Sequence, residues 1–150
     1  MKVFAVFFIC CFYFEYSSAV ESRKTLLFKA ARKCTKEQGI KLNVPAKFMK
    51  GDLSDDTRQA KCFLKCFVNE MKFWESEEPK PETILSYADL LVKDTTGIDK
   101  IVERCIASDV ADDFCDHIYN VYECFWTEVK RRPNQRLAFG DFDLNVFDTE

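Results

Sequence analysis

Apolar side chains recur along this chain every three or four residues, the period of a helix with one buried face. The pattern predicts six helices. The first runs from a cap at Ser22 to about Gln38, where Gly39 occupies the stop position. Asn43 and Pro45 open a short second helix that Gly51 closes. Ser54 or Asp55 caps a third, reaching about Phe73. Pro79 and Pro81 then interrupt the chain. Glu82–Val92, Ile98–Ala107 and a long stretch from about Ala111 to Lys130 supply the remaining three, the last ended by Arg131-Arg132-Pro133. Alternating β-branched runs are few, so the expected fold class is all-α.

The third helix is the most informative. At about 100° per residue, Ala60, Phe63, Leu64, Phe67, Val68, Met71 and Trp74 share one arc. Lys61, Lys65, Asn69 and Lys72 form an opposite, solvated strip, and Cys62 and Cys66 lie on a further flank. The sixth helix gathers Phe114, Ile118, Val121, Tyr122, Phe125, Trp126 and Val129 on one face, with Asp116, Asn120, Glu123 and Thr127 on the other. Both helices belong in the interior of the fold.

The first residues read differently. Lys2, the apolar run Val3–Phe14 and the small residues Ser17-Ser18-Ala19 have the layout of a secretory signal peptide. The run is shorter than the roughly 20 residues a membrane span requires. A leader of residues 1–19 is expected, then a single domain over 20–150 in which 131–150 is a tail. Cys10 and Cys11 leave with the leader, and Cys34, Cys62, Cys66, Cys105, Cys115 and Cys124 remain. An even number in an exported chain implies disulfides. Metal binding is not expected, because the closest cysteines lack zinc-knuckle spacing and there is one histidine. The net charge of −3 has no basic stripe for nucleic acid, and no later segment suits membrane insertion. Asn-x-Ser/Thr is absent.

Helix geometry narrows the pairing. Cys115 and Cys124 stand half a turn out of phase and about 13.5 Å apart along the axis, whereas bonded cysteines need Cα atoms within about 7 Å. The sixth helix is therefore tied to two different neighbours. A bond between Cys62 and Cys66 within one helix is strained. Most of the possible pairings stay open.

The gaps between the six cysteines are 27, 3, 38, 9 and 8 residues. This spacing, with Cys-Phe-Leu-Lys-Cys at 62–66 and Tyr-Glu-Cys-Phe at 122–125, resembles the insect odorant-binding and pheromone-binding protein family. The resemblance extends from Val20 to about Lys130. It implies the pairing Cys34–Cys66, Cys62–Cys115 and Cys105–Cys124, and a six-helix disulfide-stapled bundle around an internal apolar cavity. By offset from the cysteines it also implies that Leu64, Val68, Val121 and Phe125 face the cavity, with Leu27 and Val102 as further carry-overs. The apolar arcs add Phe63, Phe67, Met71, Phe114 and Ile118 to the expected ligand-binding residues. Tyr119, Tyr122 and Thr127 are the expected polar anchors.

The function so implied is that of a secreted, extracellular carrier of small hydrophobic ligands (odorants, pheromones or lipid-like molecules), with no cofactor. It is expected to act as a monomer or weak homodimer, with a membrane receptor as a further partner. Beyond Lys130, Leu137, Phe139, Phe142, Leu144, Val146 and Phe147 suggest a lid over the cavity, whose aspartates give it a response to acid. An enzyme is not expected. His117 beside Asp116 has neither a free thiol nor a calcium-binding glycine loop with which to act, and reads as an ordinary surface histidine. The alternative is a secreted helical signalling ligand with a filled core and an apolar surface patch.

Overall fold

Helix α1 ends at residue 38, where Gly39 takes the left-handed conformation (φ +63°) that stops a helix without a side-chain clash. The chain then forms α2 (Asn43–Met49), α3 (Arg58–Glu70), a hairpin of β1 (Trp74–Glu75) and β2 (Glu78–Pro79), α4 (Pro81–Leu85), α5 (Ala88–Leu91), α6 (Ile98–Ala107) and α7 (Phe114–Lys130). This computed structural model describes residues 23–108 and 111–132, with α1 helical from residue 23. The expected leader, the Ser22 cap and the tail beyond residue 132 lie outside the described residues. Among the described residues the fold is all-α apart from the small hairpin.

Three local features depart from the sequence expectation. The cap of α3 is Thr57, whose hydroxyl accepts from the Ala60 amide at 3.3 Å. Asp55 instead accepts from the Thr57 amide and hydroxyl, at 3.3 and 2.7 Å, which delays the helix start. The expected helix over 82–92 is broken at Ser86 and Tyr87. The Ser86 hydroxyl donates to the Thr83 carbonyl at 2.7 Å, and the Ser86 carbonyl is taken by Arg23 of α1. Arg23 also grips Asp89 through both carboxylate oxygens at 2.8 Å, fixing the break against α1.

The third departure is the hairpin itself. Trp74 faces Pro79 and Glu75 faces Glu78, which leaves Ser76 and Glu77 as a two-residue turn with φ +52° and +65°. Positive φ at both turn positions matches the right-handed twist of paired strands, yet the favoured residues there are asparagine and glycine. The hairpin carries Phe73 and Trp74 inward; both are buried.

In the core, α3 and α7 pack most extensively, with α6 against α7 and α4 against α6. Cys34–Cys66 joins α1 to α3, Cys62–Cys115 joins α3 to α7, and Cys105–Cys124 joins α6 to α7, at Cα separations of 5.7, 4.7 and 5.6 Å. These are the three pairs that the resemblance implies, and α7 is indeed tied to two neighbours. The apolar arc of α3 is buried as its period requires, with Phe67 half-buried. Its lysine strip is less solvated than expected. Lys61 donates to Asp116 at 2.9 Å and lies 5.0 Å from the Tyr119 ring centre, while Lys65 sits 5.5 Å from that of Phe114. No helix among the described residues is long and apolar enough to cross a membrane.

Candidate binding pocket

An apolar pocket lies among the helices, with about 90 Å³ of free space. Helix α7 supplies Ile118, Val121, Tyr122 and Phe125, spaced i, i+3, i+4 and i+7 along a single face. Phe67 and Val68 come from α3, Val102, Cys105 and Ile106 from α6, and Leu27 and Met49 from α1 and α2. Phe73 and Trp74 of the hairpin segment, with Ile84, Tyr87 and Leu91 around the α4–α5 break, complete the wall. The aromatic part is held by edge-on contacts: Phe73 meets Phe67 at 6.5 Å and Tyr87 at 5.3 Å between ring centres.

Of the residues expected from sequence, Leu27, Phe67, Val68, Val102, Ile118, Val121 and Phe125 meet on this wall. Phe63, Leu64, Met71 and Phe114 do not line it. The arc of α3 is wider than the pocket, and only the Phe67–Val68 turn reaches it. Phe63 is buried one turn earlier, stacked between Phe48 and Phe67. Leu64 and Met71 are likewise packed core. Phe114, at the first turn of α7, stacks on His117 at 5.8 Å and borders a polar cleft with Lys65 and Lys72, which shares Trp74 with the pocket. Sequence reasoning missed Met49, Phe73, Trp74, Ile84, Tyr87, Leu91 and Ile106. Ile84 and Leu91 stand seven apart and offered a helical signal, whereas nothing local marked the hairpin.

Among the described residues, none that lines the pocket is charged at neutral pH. Of the expected anchors, Tyr122 is on the wall, but its hydroxyl donates to the Phe48 carbonyl at 2.9 Å, and burial pushes its phenol up to about 12. Tyr119 is not on the wall and donates to the Leu53 carbonyl at 3.0 Å; burial raises its pKa too. Thr127 is exposed. The indole Nε1 of Trp74 is buried and has no hydrogen-bond partner.

Two other groupings carry no chemistry of their own. Cys34, Glu37 and Cys66 come together, but both sulfurs are bonded to each other and offer no thiolate to a metal. The Asp116 carboxylate beside His117 is engaged by Lys61 at 2.9 Å and Arg58 at 3.4 Å. It therefore does not serve as the histidine's orienting acid.

The PBP/GOBP family model matches residues 17–128 of the chain. The chain belongs to the PBP/GOBP family. This is the family of insect odorant- and pheromone-binding proteins, secreted carriers of small hydrophobic ligands rather than enzymes. The PBP/GOBP match covers all three disulfides and every lining residue of the pocket. The chain matches no curated protein sequence and no solved structure.

Proposed function

We propose that this chain is an extracellular carrier that takes small apolar molecules into the pocket and moves them through aqueous fluid. The observation that carries the reading is a wall without charge, assembled from every helical segment of a disulfide-stapled member of a carrier family. Burying about ten methylenes at about 0.8 kcal/mol each yields a gross gain near 8 kcal/mol. Ordering and association costs then return the affinity to the micromolar range.

Loading requires the wall to move. Its free space of about 90 Å³ is below the roughly 150 Å³ that holds benzene in an apolar protein cavity. The elements suited to yield are α4 and α5, short helices that meet at a break and carry half-buried Ile84, Tyr87 and Leu91. Export through the residue 1–19 leader, a monomeric or weakly dimeric state and delivery to a membrane receptor belong to the same reading. The rival signalling role wants a surface patch. Among the described residues, Leu26 and Leu42 are the exposed large hydrophobics, which gives that role no support.

The test is uptake of N-phenyl-1-naphthylamine by the oxidised mature protein. One equivalent bound with micromolar affinity, and displaced by a medium-length ketone or hydrocarbon, supports the carrier. An absence of saturable uptake overturns it.

A further inference from the structure

Most of the pocket wall is hydrocarbon, so the polar atoms set into it decide which apolar molecules are preferred. Among the described residues, three on the wall carry a side-chain N–H or O–H: Tyr87, Tyr122 and Trp74. Tyr87 is half-buried at the α4–α5 break, and its hydroxyl is not among the buried, unpartnered polar atoms. The Tyr122 hydroxyl is committed to the Phe48 carbonyl at 2.9 Å. The Trp74 indole Nε1 is buried and donates to nothing. Trp126, the other tryptophan whose Nε1 lacks an acceptor, does not line the pocket.

A buried donor without an acceptor is penalised, because it has given up water and received nothing in return. Trp74 is only 5% exposed, and its nitrogen is closed off from solvent. Trp74 borders the polar cleft of Lys65, Asn69 and Lys72 as well as the apolar pocket, and an acceptor brought by the cargo on the pocket side would satisfy the N–H as the wall spreads. The segment carrying Trp74 is held in place against local preference: Lys72, Ser76 and Glu77 all have positive φ although none is glycine.

We propose that Trp74 is the hydrogen-bonding handle of the pocket, and that the preferred cargo is a carbon chain bearing one uncharged acceptor oxygen, as in a ketone, aldehyde or ester. This rests on the carrier reading and narrows it to a ligand class. A carboxylate is disfavoured because, among the described residues, no lysine, arginine or histidine lines the wall to pair with it. A bare hydrocarbon is accepted but leaves the indole N–H unpaired.

The test compares 2-nonanone with nonane as competitors of N-phenyl-1-naphthylamine, on the wild-type protein and on Trp74→Phe. The substitution keeps an apolar ring and removes the N–H. Ketone affinity is expected to fall about tenfold more than nonane affinity, and an unchanged far-UV circular dichroism spectrum shows that the variant is folded. Equal effects on both ligands, or none on either, overturn the proposal while leaving the carrier intact. Failure of the wild-type protein to bind either ligand overturns the carrier reading itself. Nonanoate competing as well as the ketone at pH 7 overturns the uncharged-ligand clause. Should Trp74→Phe not fold, the wild-type indole N–H resonance decides. Once assigned to Trp74, it is expected to move downfield with 2-nonanone and not with nonane; equal response to both overturns the proposal.

Discussion

The backbone of Gly51 lies against the indole of Trp126 so closely that a Cβ at Gly51 would stand 2.6 Å from Cδ2 and 2.8 Å from Cε3. Its φ of +69° is also one that other residues avoid. Neighbouring side chains of α7 hold the same stretch of backbone: Tyr122 donates to the Phe48 carbonyl, Lys130 to that of Gly51 and Tyr119 to that of Leu53. The connection from α2 to α3 is thus clamped onto α7. Gly51→Ala is expected to cost about 2–4 kcal/mol, combining left-handed strain of about 1 kcal/mol with overpacking of about 1–3 kcal/mol. Urea unfolding measures it, and an unchanged midpoint would mean that the clamp is loose.

Asp113 caps α7, accepting from the Cys115 and Asp116 amides at 2.8 and 3.2 Å, and meets Arg58 through both oxygens at 2.6 and 2.7 Å. The Arg58 guanidinium, and then the amides, hold its carboxyl far below the usual carboxylate range. A depressed folded value means that the unfolded chain takes up the proton first. This stabilisation is therefore complete above about pH 4 and is lost as the pH falls toward the folded value. Asp113→Asn keeps an acceptor at the cap and lacks the charge. Its stability should decline less steeply than the wild type's between pH 5 and pH 2, and parallel acid profiles would count against the pairing.

The turn of the hairpin is a site where the sequence can be improved. Ser76 and Glu77 adopt φ +52° and +65° without the residues that tolerate them. Replacing them with Asn and Gly, the favoured pair for this turn, is expected to raise stability by about 1 kcal/mol. Probe affinity should not fall, since Trp74 keeps its place. Thermal unfolding and probe titration of the double variant check both halves, and a loss of stability would show that the turn is of another type.

The disulfides differ in how much chain they restrain. Cys62–Cys115 spans 53 residues and Cys105–Cys124 spans 19. Loop-closure entropy gives about 4 kcal/mol for the longer and about 3 kcal/mol for the shorter. Replacing both cysteines by serine at 62 and 115 should therefore destabilise by about 1 kcal/mol more than the same change at 105 and 124. Paired denaturation curves decide this, and the reverse order would show that native-state contacts outweigh the entropy term.

Helices were legible where burial follows one period for several turns. The arcs through Phe67 and Val68 in α3, and Ile118, Val121 and Phe125 in α7, therefore mark the faces that meet at the pocket. Periodicity does not separate a wall from the core behind it. Phe63 and Leu64 satisfy the same pattern as Phe67 and Val68, and a crossing element decides which turn is covered. Trp74 falls at the end of a helical arc in the sequence, yet α3 stops at Glu70 and a hairpin delivers it. The break at Ser86 is fixed by Arg23, 63 residues away, a contact that no local signal contains. The cysteines were legible through a different channel, since their spacing matches a family even where geometry left the pairing open.

Val121 and Leu64 separate pocket from core. Both are buried and both lie on apolar helix faces, but Val121 lines the pocket and Leu64 does not. Val121→Phe extends a side chain toward about 90 Å³ of free space. It should lower probe affinity at least tenfold, roughly 1.4 kcal/mol, with little loss of thermal stability because the added atoms have room. Leu64→Ala should do the reverse. It is expected to cost about 2–5 kcal/mol of stability, the usual range for a cavity cut into a close-packed core, while molecules that remain folded bind the probe as before. The pair of measurements is a crossed test. If Val121→Phe unfolds the protein and leaves binding intact, the space beside Val121 is not where the ligand goes.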